Sequence, residues 1–324
     1  DRWFVVKFDK SKDVAEVLKE LNDDPAIEKA HGSVRIVPEE TSYASVTRAP
    51  IQPGQLTAAN NGKGYMNFSD PYLQYQWHYT TTNDVYQTFK TGADIDLFPA
   101  WQKETGDPHV VVAVMDSGID FTHEDLTGSA WEGKDPKTGE TIHGGNGNPN
   151  SGVRLMSCEI YGHDDKNETA TTDYIVKAFE FAAENGASVM NCSWGYGFDR
   201  KKYLNNENFQ SIFKHQFDLL KEGINYFTDY AGCDPQGKKK PESYMKGGLI
   251  FFASGNDAQY DIDMIPASYN RVVAVGAINS MGIPTDYMNK GPWVDVLAPG
   301  GTTDAGEVYK GVLSTVPKNF VNLS

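Results

Sequence analysis

The sequence is poor in cysteine, in cationic side chains and in long apolar runs, and each shortage narrows the kind of protein it can be. Its three cysteines have no metal-ligand spacing, and their odd number excludes complete pairing within the chain. Against 44 aspartates and glutamates stand 29 lysines and arginines, a formal net charge of −15 that argues against nucleic acid as a partner. No apolar run approaches the ~20 residues that cross a bilayer, so no membrane span is expected.

The 324 residues divide by composition and pattern into three parts. Residues 1–40 show a strand, an amphipathic helix and a second strand, a unit too small to be stable alone. Residues 41–68 are rich in Thr, Ser, Pro, Gly and Asn, which is typical of a linker. Residues 69–324 form the large domain.

The large domain alternates short apolar strands with amphipathic helical patterns. The run at 110–115 has the length and β-branched character of a strand buried on both faces, and the run at 248–253 is similar. This alternation predicts an α/β fold, namely a doubly wound, mostly parallel sheet with helices on both faces. No strand runs into a GxGxxG or P-loop pattern, which disfavours a nucleotide-binding domain.

Several of the predicted strands end in polar residues. In open α/β sheets, ligands and catalytic groups collect at the carboxyl ends of the strands. The segments are VVVAVMDSGID at 110–120 followed by THEDL at 122–126, NCSWG at 191–195, FFASGND at 251–257, and the stretch 265–301 that ends in PGG. Together and in this order they resemble the subtilisin-like serine proteases, the subtilases. The resemblance extends over residues 70–324, and residues 1–40 are similar to part of the family's inhibitory propeptide, though shorter.

The resemblance implies a role for each strand end. Asp116 matches the carboxylate that orients and stabilises the imidazolium of the catalytic base, and Asn256 matches the amide that donates to the oxyanion. The backbone of Ser193, Trp194 and Gly195 would pair with an extended substrate, and Gly195 would leave room for its side chain. Ser254 and Gly255 would complete the substrate-binding rim. The residues themselves leave plainer alternatives open: a turn cap for Asp116, a left-handed turn residue for Asn256 and a core strand end for 193–195.

Two landmarks of the family have no full counterpart in this sequence. The catalytic histidine is expected in HGTHVAG, but His143, 27 residues after Asp116, leads into a glycine-rich stretch instead. His143 is therefore a candidate base, and the alternative is a loop histidine with the true base absent from this sequence. The nucleophile is expected in GTSMA, and the sequence ends about three residues before that position, so Ser324 is not the nucleophile. We expect both segments to be present in the complete gene.

The leading hypothesis is a serine endopeptidase that uses an Asp/His/Ser triad and an Asn oxyanion donor, accompanied by its propeptide and so in a zymogen form. Its partners would be a polypeptide substrate and its own segment 1–40, and export from the cytoplasm follows from the family resemblance alone. No cofactor is required; the family often uses structural calcium, for which the acidic loop 261–263 is a candidate. The alternative hypothesis is a catalytically inactive subtilase fold that binds peptides or proteins.

Overall fold

The protein is described here by a computed structural model. It describes residues 8–9, 11–27, 30, 76–81, 90, 92–101, 103–126, 128–134, 141–142, 152–161, 171–196, 205, 207–260, 264–302 and 311–315. The predicted linker at 41–68, the acidic loop 261–263 and the candidate base His143 lie outside these ranges, as do the strands predicted at 3–8 (apart from Phe8) and 34–37. The division into three parts stays a prediction.

The described residues contain the following helices and strands. The helices are α1 (Val14–Asp23), α2 (Leu97–Trp101), α3 (Thr172–Glu184) and α4 (Glu207–Tyr230). The strands are β1 (Val111–Asp116), β2 (Gly133–Lys134), β3 (Thr141–Ile142), β4 (Arg154–Glu159), β5 (Ala187–Cys192), β6 (Leu249–Ala253), β7 (Val273–Ile278) and β8 (Val296–Pro299). A 3-10 turn spans Glu124–Leu126.

Six of the strands form one sheet in the order β4-β1-β5-β6-β7-β8, and every neighbouring pair is parallel. The remaining two, β2 and β3, pair with each other as an antiparallel ribbon. Parallel strands need crossover connections. Helix α3 lies in the connection from β4 to β5, the two strands that flank β1, and α4 lies in the connection between the neighbouring strands β5 and β6. The α/β class with a mostly parallel sheet is confirmed, and all six carboxyl ends lie at one edge.

One face of the sheet carries the hydrophobic core. Side chains that stand in register across the strands are buried there: Ala113, Met115, Met156, Cys158, Met190, Cys192, Ile250, Phe252 and Ala274. Helices α3 and α4 pack on this face and on each other, with Phe179 and Phe227 fully buried between helix and sheet. Burial of this apolar surface is the main source of the fold's stability.

The opposite face is only partly covered by the described residues. Val112 and Val114 of β1 and Phe251 of β6 are half-buried, while Leu249 is 45% exposed. The prediction that these strands are buried on both faces is therefore not met in the part of the chain that the structure describes. The physical reason is that α3 and α4 both lie on the other face. This open face is also the side on which Asp116 lies.

The three cysteines lie in the interior of the protein. Cys158, Cys192 and Cys233 are buried and free of disulfide bonds. Burial raises the pKa of the Cys158 thiol to about 12 and holds the pKa of Cys192 well above its ordinary range. Because the thiolate is the nucleophilic form, neither residue is prepared for nucleophilic chemistry.

Candidate active site

The predicted site residues that the structure describes lie together at the carboxyl ends of the sheet strands, and His143 is outside the described ranges. In the register of the sheet, Met115 of β1 pairs with Cys192 of β5, which pairs with Phe252 of β6. The next residues towards the carboxyl ends of these strands are Asp116, Ser193 and Ala253. Two strand spacings of about 4.8 Å put the ends of β1 and β6 roughly 10 Å apart. Asn256 follows β6 by three residues, so the predicted carboxylate and the predicted amide lie at the same edge.

Asp116 is the last residue of β1, and the strand's alternation points its side chain to the open face, together with Val112 and Val114. It is half-buried, and its Oδ1 accepts a hydrogen bond of 2.7 Å from the N–H of Ser117. That bond is the one a turn cap would make. It is the only hydrogen bond to the Asp116 carboxylate among the described residues, and it leaves Oδ2 available to a partner such as an imidazole.

The side chain of Trp194 points into the hydrophobic core, on the same face as Met190 and Cys192 of β5, and not towards the carboxyl end of the sheet. Its side chain is 6% exposed, and its ring stands edge-on to Phe252 with the centroids 5.1 Å apart. Only the backbone of Trp194 is therefore placed for pairing with an extended chain. A Cβ added to Gly195 would lie 3.5 Å from the carbonyl oxygen of Ile265, an ordinary contact, so no steric need for glycine is visible there.

The turn after β6 has the backbone shape that its sequence predicts. Ser254 is buried, and its N–H donates to the carbonyl of Val275 over 2.9 Å. Gly255 has φ +95°, which glycine alone adopts readily. Asn256 is not among the residues with positive φ, so the left-handed turn position belongs to Gly255 and that alternative for Asn256 is wrong. The Asn256 side chain is exposed.

A cavity of about 350 Å³ opens on the open face at this edge, and we call it the edge cleft. Its polar rim is formed by Asn191, Ser193, Ser254 and Asn256, while Phe251, Val275, Ala277 and Tyr287 supply apolar wall. The edge cleft therefore combines an extended strand end, a carboxamide and an apolar lining. Binding of an extended peptide by strand addition uses backbone to pair with and pockets for its side chains.

A catalytic base is not identified among the described residues. No described histidine is hydrogen-bonded to Asp116. His109 pairs with Asp107, the Nδ1 of His123 accepts from the N–H of Asp125, and the Nδ1 of His215 is 2.6 Å from the Ser211 carbonyl. His78 is partly buried, which lowers its pKa.

Neither a metal cluster nor a membrane helix is found in the described ranges. No group of three or more His, Cys, Asp or Glu side chains there is arranged to hold a metal ion. None of the helices described is both long and apolar enough to cross a bilayer.

Sequence reasoning missed one residue at this site, Asn289. Its fully buried side chain contacts the turn that carries Asn256. Asn289 is separated from that turn by about 30 positions in the sequence, and the local pattern DYMNKGP carries no signal for the contact.

The fold and the edge cleft define an α/β protein with a cavity at the carboxyl ends of parallel strands, and comparison with known proteins identifies its family. The Subtilase family model, Peptidase_S8, matches residues 107–322. The chain belongs to the subtilase family.

Individual relatives are distant. The chain is 25% identical over 267 residues to a thermophilic serine proteinase of Bacillus sp. strain AK1, covering 76% of this chain and 57% of that protein. It is 27% identical over 243 residues to a calcium-dependent protease of Nostoc sp., covering 67% of this chain and 33% of that protein. Halolysin of Haloferax mediterranei is 25% identical over 304 residues, covering 83% and 51%. The chain thus spans a third to somewhat over half of these relatives.

Solved structures give matches of the same kind. A protease of Pseudoalteromonas arctica superposes with a TM-score of 0.49 at 21% identity, covering 77% of each chain. The nisin leader peptidase NisP of Lactococcus lactis superposes with a TM-score of 0.46 at 20% identity, covering 73% of this chain and 71% of that chain.

Proposed function

We propose that this chain supplies the carboxylate, the oxyanion donor and the substrate-pairing edge of a serine endopeptidase. The observation that carries the proposal is that Asp116 at the end of β1 and Asn256, three residues after β6, lie at the same end of one parallel sheet. Membership of the subtilase family supports it, since the family model covers both residues.

In the proposed reaction the serine hydroxyl attacks the scissile carbonyl and passes its proton to the catalytic imidazole. Asp116 holds that imidazole in one orientation and stabilises the imidazolium once it forms. The carbonyl oxygen becomes an oxyanion, which accepts a hydrogen bond from the Nδ2 of Asn256. The imidazolium then protonates the leaving amine, and water hydrolyses the acyl-enzyme by the same steps in reverse.

The remaining components are proposals that rest on the family resemblance. His143 is the candidate base in this sequence, and no residue of the chain is assigned as the nucleophile. Segment 1–40 is proposed as the inhibitory propeptide, and export and structural calcium are proposed with it. Polypeptide is the proposed substrate because the rim of the edge cleft ends in strand backbone that an extended chain can pair with.

The alternative function is a subtilase fold that binds peptides without cleaving them. It applies if the complete gene encodes neither an HGTHVAG-like nor a GTSMA-like segment. The two functions share the edge cleft and differ only in whether a serine is activated beside it.

Covalent labelling separates the two functions. The protein from the complete gene is incubated with a tagged fluorophosphonate, which phosphonylates only an activated serine, and the labelled peptide is identified by mass spectrometry. The endopeptidase predicts one labelled serine, with labelling abolished by heat denaturation and greatly slowed in Asp116→Asn. If the folded protein takes no label but binds extended peptides in an anisotropy assay, the peptidase proposal is wrong and the binding function replaces it.

A further inference from the structure

Asn289 is fully buried, and both polar atoms of its side chain are bonded to the turn that carries Asn256. Its Oδ1 accepts hydrogen bonds from the N–H of Asp257 over 3.0 Å and from the N–H of Gln259 over 2.9 Å. Its Nδ2 donates to the Oδ2 of Asp257 over 3.0 Å. Its own N–H donates to the carbonyl of Gly255 over 3.0 Å. The side chain of Asn289 thus holds the backbone just after Asn256, and its backbone N–H holds the residue just before it.

Two further backbone bonds extend this attachment along the turn. The N–H of Ala258 donates to the carbonyl of Tyr287 over 2.9 Å, and the N–H of Lys290 donates to the carbonyl of Gln259 over 2.8 Å. Segment 287–290 therefore runs along segment 255–259 and holds it. Asn256 takes no part in these bonds, and its exposed side chain lies at the rim of the edge cleft.

We propose that Asn289 is a positioning residue for the oxyanion donor, acting through the backbone of residues 255–259. The inference rests on the proposed function, since Asn256 must be that donor. An oxyanion donor is effective because it needs no reorganisation when the charge develops, so the backbone that carries it must be held rigidly. Displacement of a reacting group by about 1 Å can cost about 10² in rate, even when the change lies outside the chemistry.

The residue type fits this task. A carboxamide accepts from two backbone N–H groups with one atom and donates to a carboxylate with the other. An alanine at this position would leave the N–H groups of Asp257 and Gln259 without an acceptor in a buried site. An aspartate would keep the acceptor but place a second carboxylate against Asp257.

Exchanging the amide of Asn289 and the carboxylate of Asp257 tests this positioning role. Asn289→Asp alone brings two carboxylates together and is expected to lower kcat by about 10- to 10²-fold, with KM unchanged. Asp257→Asn added to it restores a donor and acceptor pair, because the amide introduced at 257 donates to the carboxylate introduced at 289. Asp257→Asn alone is the matched control, since its amide can turn its oxygen towards Asn289.

A double-mutant cycle with Asn256 separates positioning from general destabilisation. If Asn289 acts through Asn256, Asn289→Asp lowers kcat in the wild-type background and has no further effect once Asn256→Ala has removed the donor. Equal losses in both backgrounds would overturn the positioning role. So would a doubly substituted 257/289 protein that recovers no activity although it is folded.

Hydrogen exchange tests the same inference without using activity. In Asn289→Ala the amides of Asp257 and Gln259 should exchange much faster, while the amide of Ser254, bonded to Val275, keeps its protection as an internal control. Unchanged exchange at 257 and 259 would refute the positioning role, whatever the activity. If the complete wild-type protein shows no peptidase activity sensitive to a serine-directed inhibitor, the proposed function fails, and the exchange result still decides whether Asn289 holds the turn.

Discussion

Trp194 and Phe252 stand edge to face beneath the ends of β5 and β6, with their ring centroids 5.1 Å apart and both side chains buried. The contact joins the strand that is proposed to pair with substrate to the strand that leads to Asn256. The indole of Trp194 therefore packs beneath the edge cleft and is not part of its lining.

Trp194→Ala should destabilise the protein by about 3–5 kcal/mol, the usual cost of removing a buried large aromatic ring. The free energy of unfolding, measured by denaturant titration, checks this. Tyr174→Ala, at a position 54% exposed on α3, is the matched control and should change stability by less than about 0.5 kcal/mol. Trp194→Phe should leave the ranking of peptide substrates unchanged. A changed ranking would place the indole in the cleft after all.

Gly255→Ala should cost more stability than Gly186→Ala, although the two glycines have nearly the same φ, +95° and +91°. In both variants an alanine must adopt a left-handed backbone conformation, which costs about 1–2 kcal/mol of stability. Only at Gly255 does the added Cβ also fall 2.2 Å from the Nδ2 of Asn289, whereas at Gly186 it meets nothing within 4 Å. Unfolding free energies of the two variants measure the difference, which we expect to be a further 1–3 kcal/mol, roughly the cost of overpacking. Equal losses of stability in the two variants would show that the turn at Gly255 shifts to accommodate the added Cβ without cost.

We expect the Asp218 carboxylate to make the free energy of unfolding decrease as the pH is lowered. Partial burial opposes ionisation of Asp218, but hydrogen bonds from Lys214 and Lys221, at 2.8 and 3.1 Å, outweigh it and lower its pKa to about 2. Because the folded pKa lies below the unfolded one, near 3.9, this stabilisation is complete above pH about 4 and is lost as the pH falls towards 2. Asp218→Asn should remove that part of the acid dependence.

Urea unfolding midpoints at pH values between about 2 and 6 measure this dependence. The control is Asp286→Asn, which replaces an exposed aspartate that makes no hydrogen bond to another described residue. Identical slopes for Asp218→Asn and the wild type would show that the lysine contacts contribute nothing in solution.

The sheet was predictable because several of its strands are short, mainly apolar runs that are followed by glycine and polar residues. The run at 110–115 became β1 at Val111–Asp116, and the run at 248–253 became β6 at Leu249–Ala253. Burial on both faces was not predictable in the same way. Hydrophobicity on both sides of a strand shows that both faces can be covered, but it does not identify the segment that covers them.

The candidate site was predictable where its residues lie at or just after the carboxyl end of a strand, as Asp116 does at the end of β1 and Asn256 does three residues after β6. The inward direction of Trp194 could have been read from alternation, because Met190, Cys192 and Trp194 are spaced two apart and the first two are buried. Asn289 could not be found from sequence. Its partners Asp257 and Gln259 are remote in the chain, and only the parallel course of the two segments brings them together.

The most direct test of the account is the kcat of Asp116→Asn and of Asn256→Ala in the protein from the complete gene, measured on one peptide substrate. We expect Asp116→Asn to lower kcat by about 10⁴-fold. For Asn256→Ala we expect a loss of about 10²–10³-fold with KM little changed, a magnitude carried over from a family member in which such a donor was removed. Asp125→Asn, an exposed carboxylate further along the same connection, should retain wild-type kcat. Wild-type kcat in both Asp116→Asn and Asn256→Ala would contradict the assignment of this sheet edge as the catalytic centre.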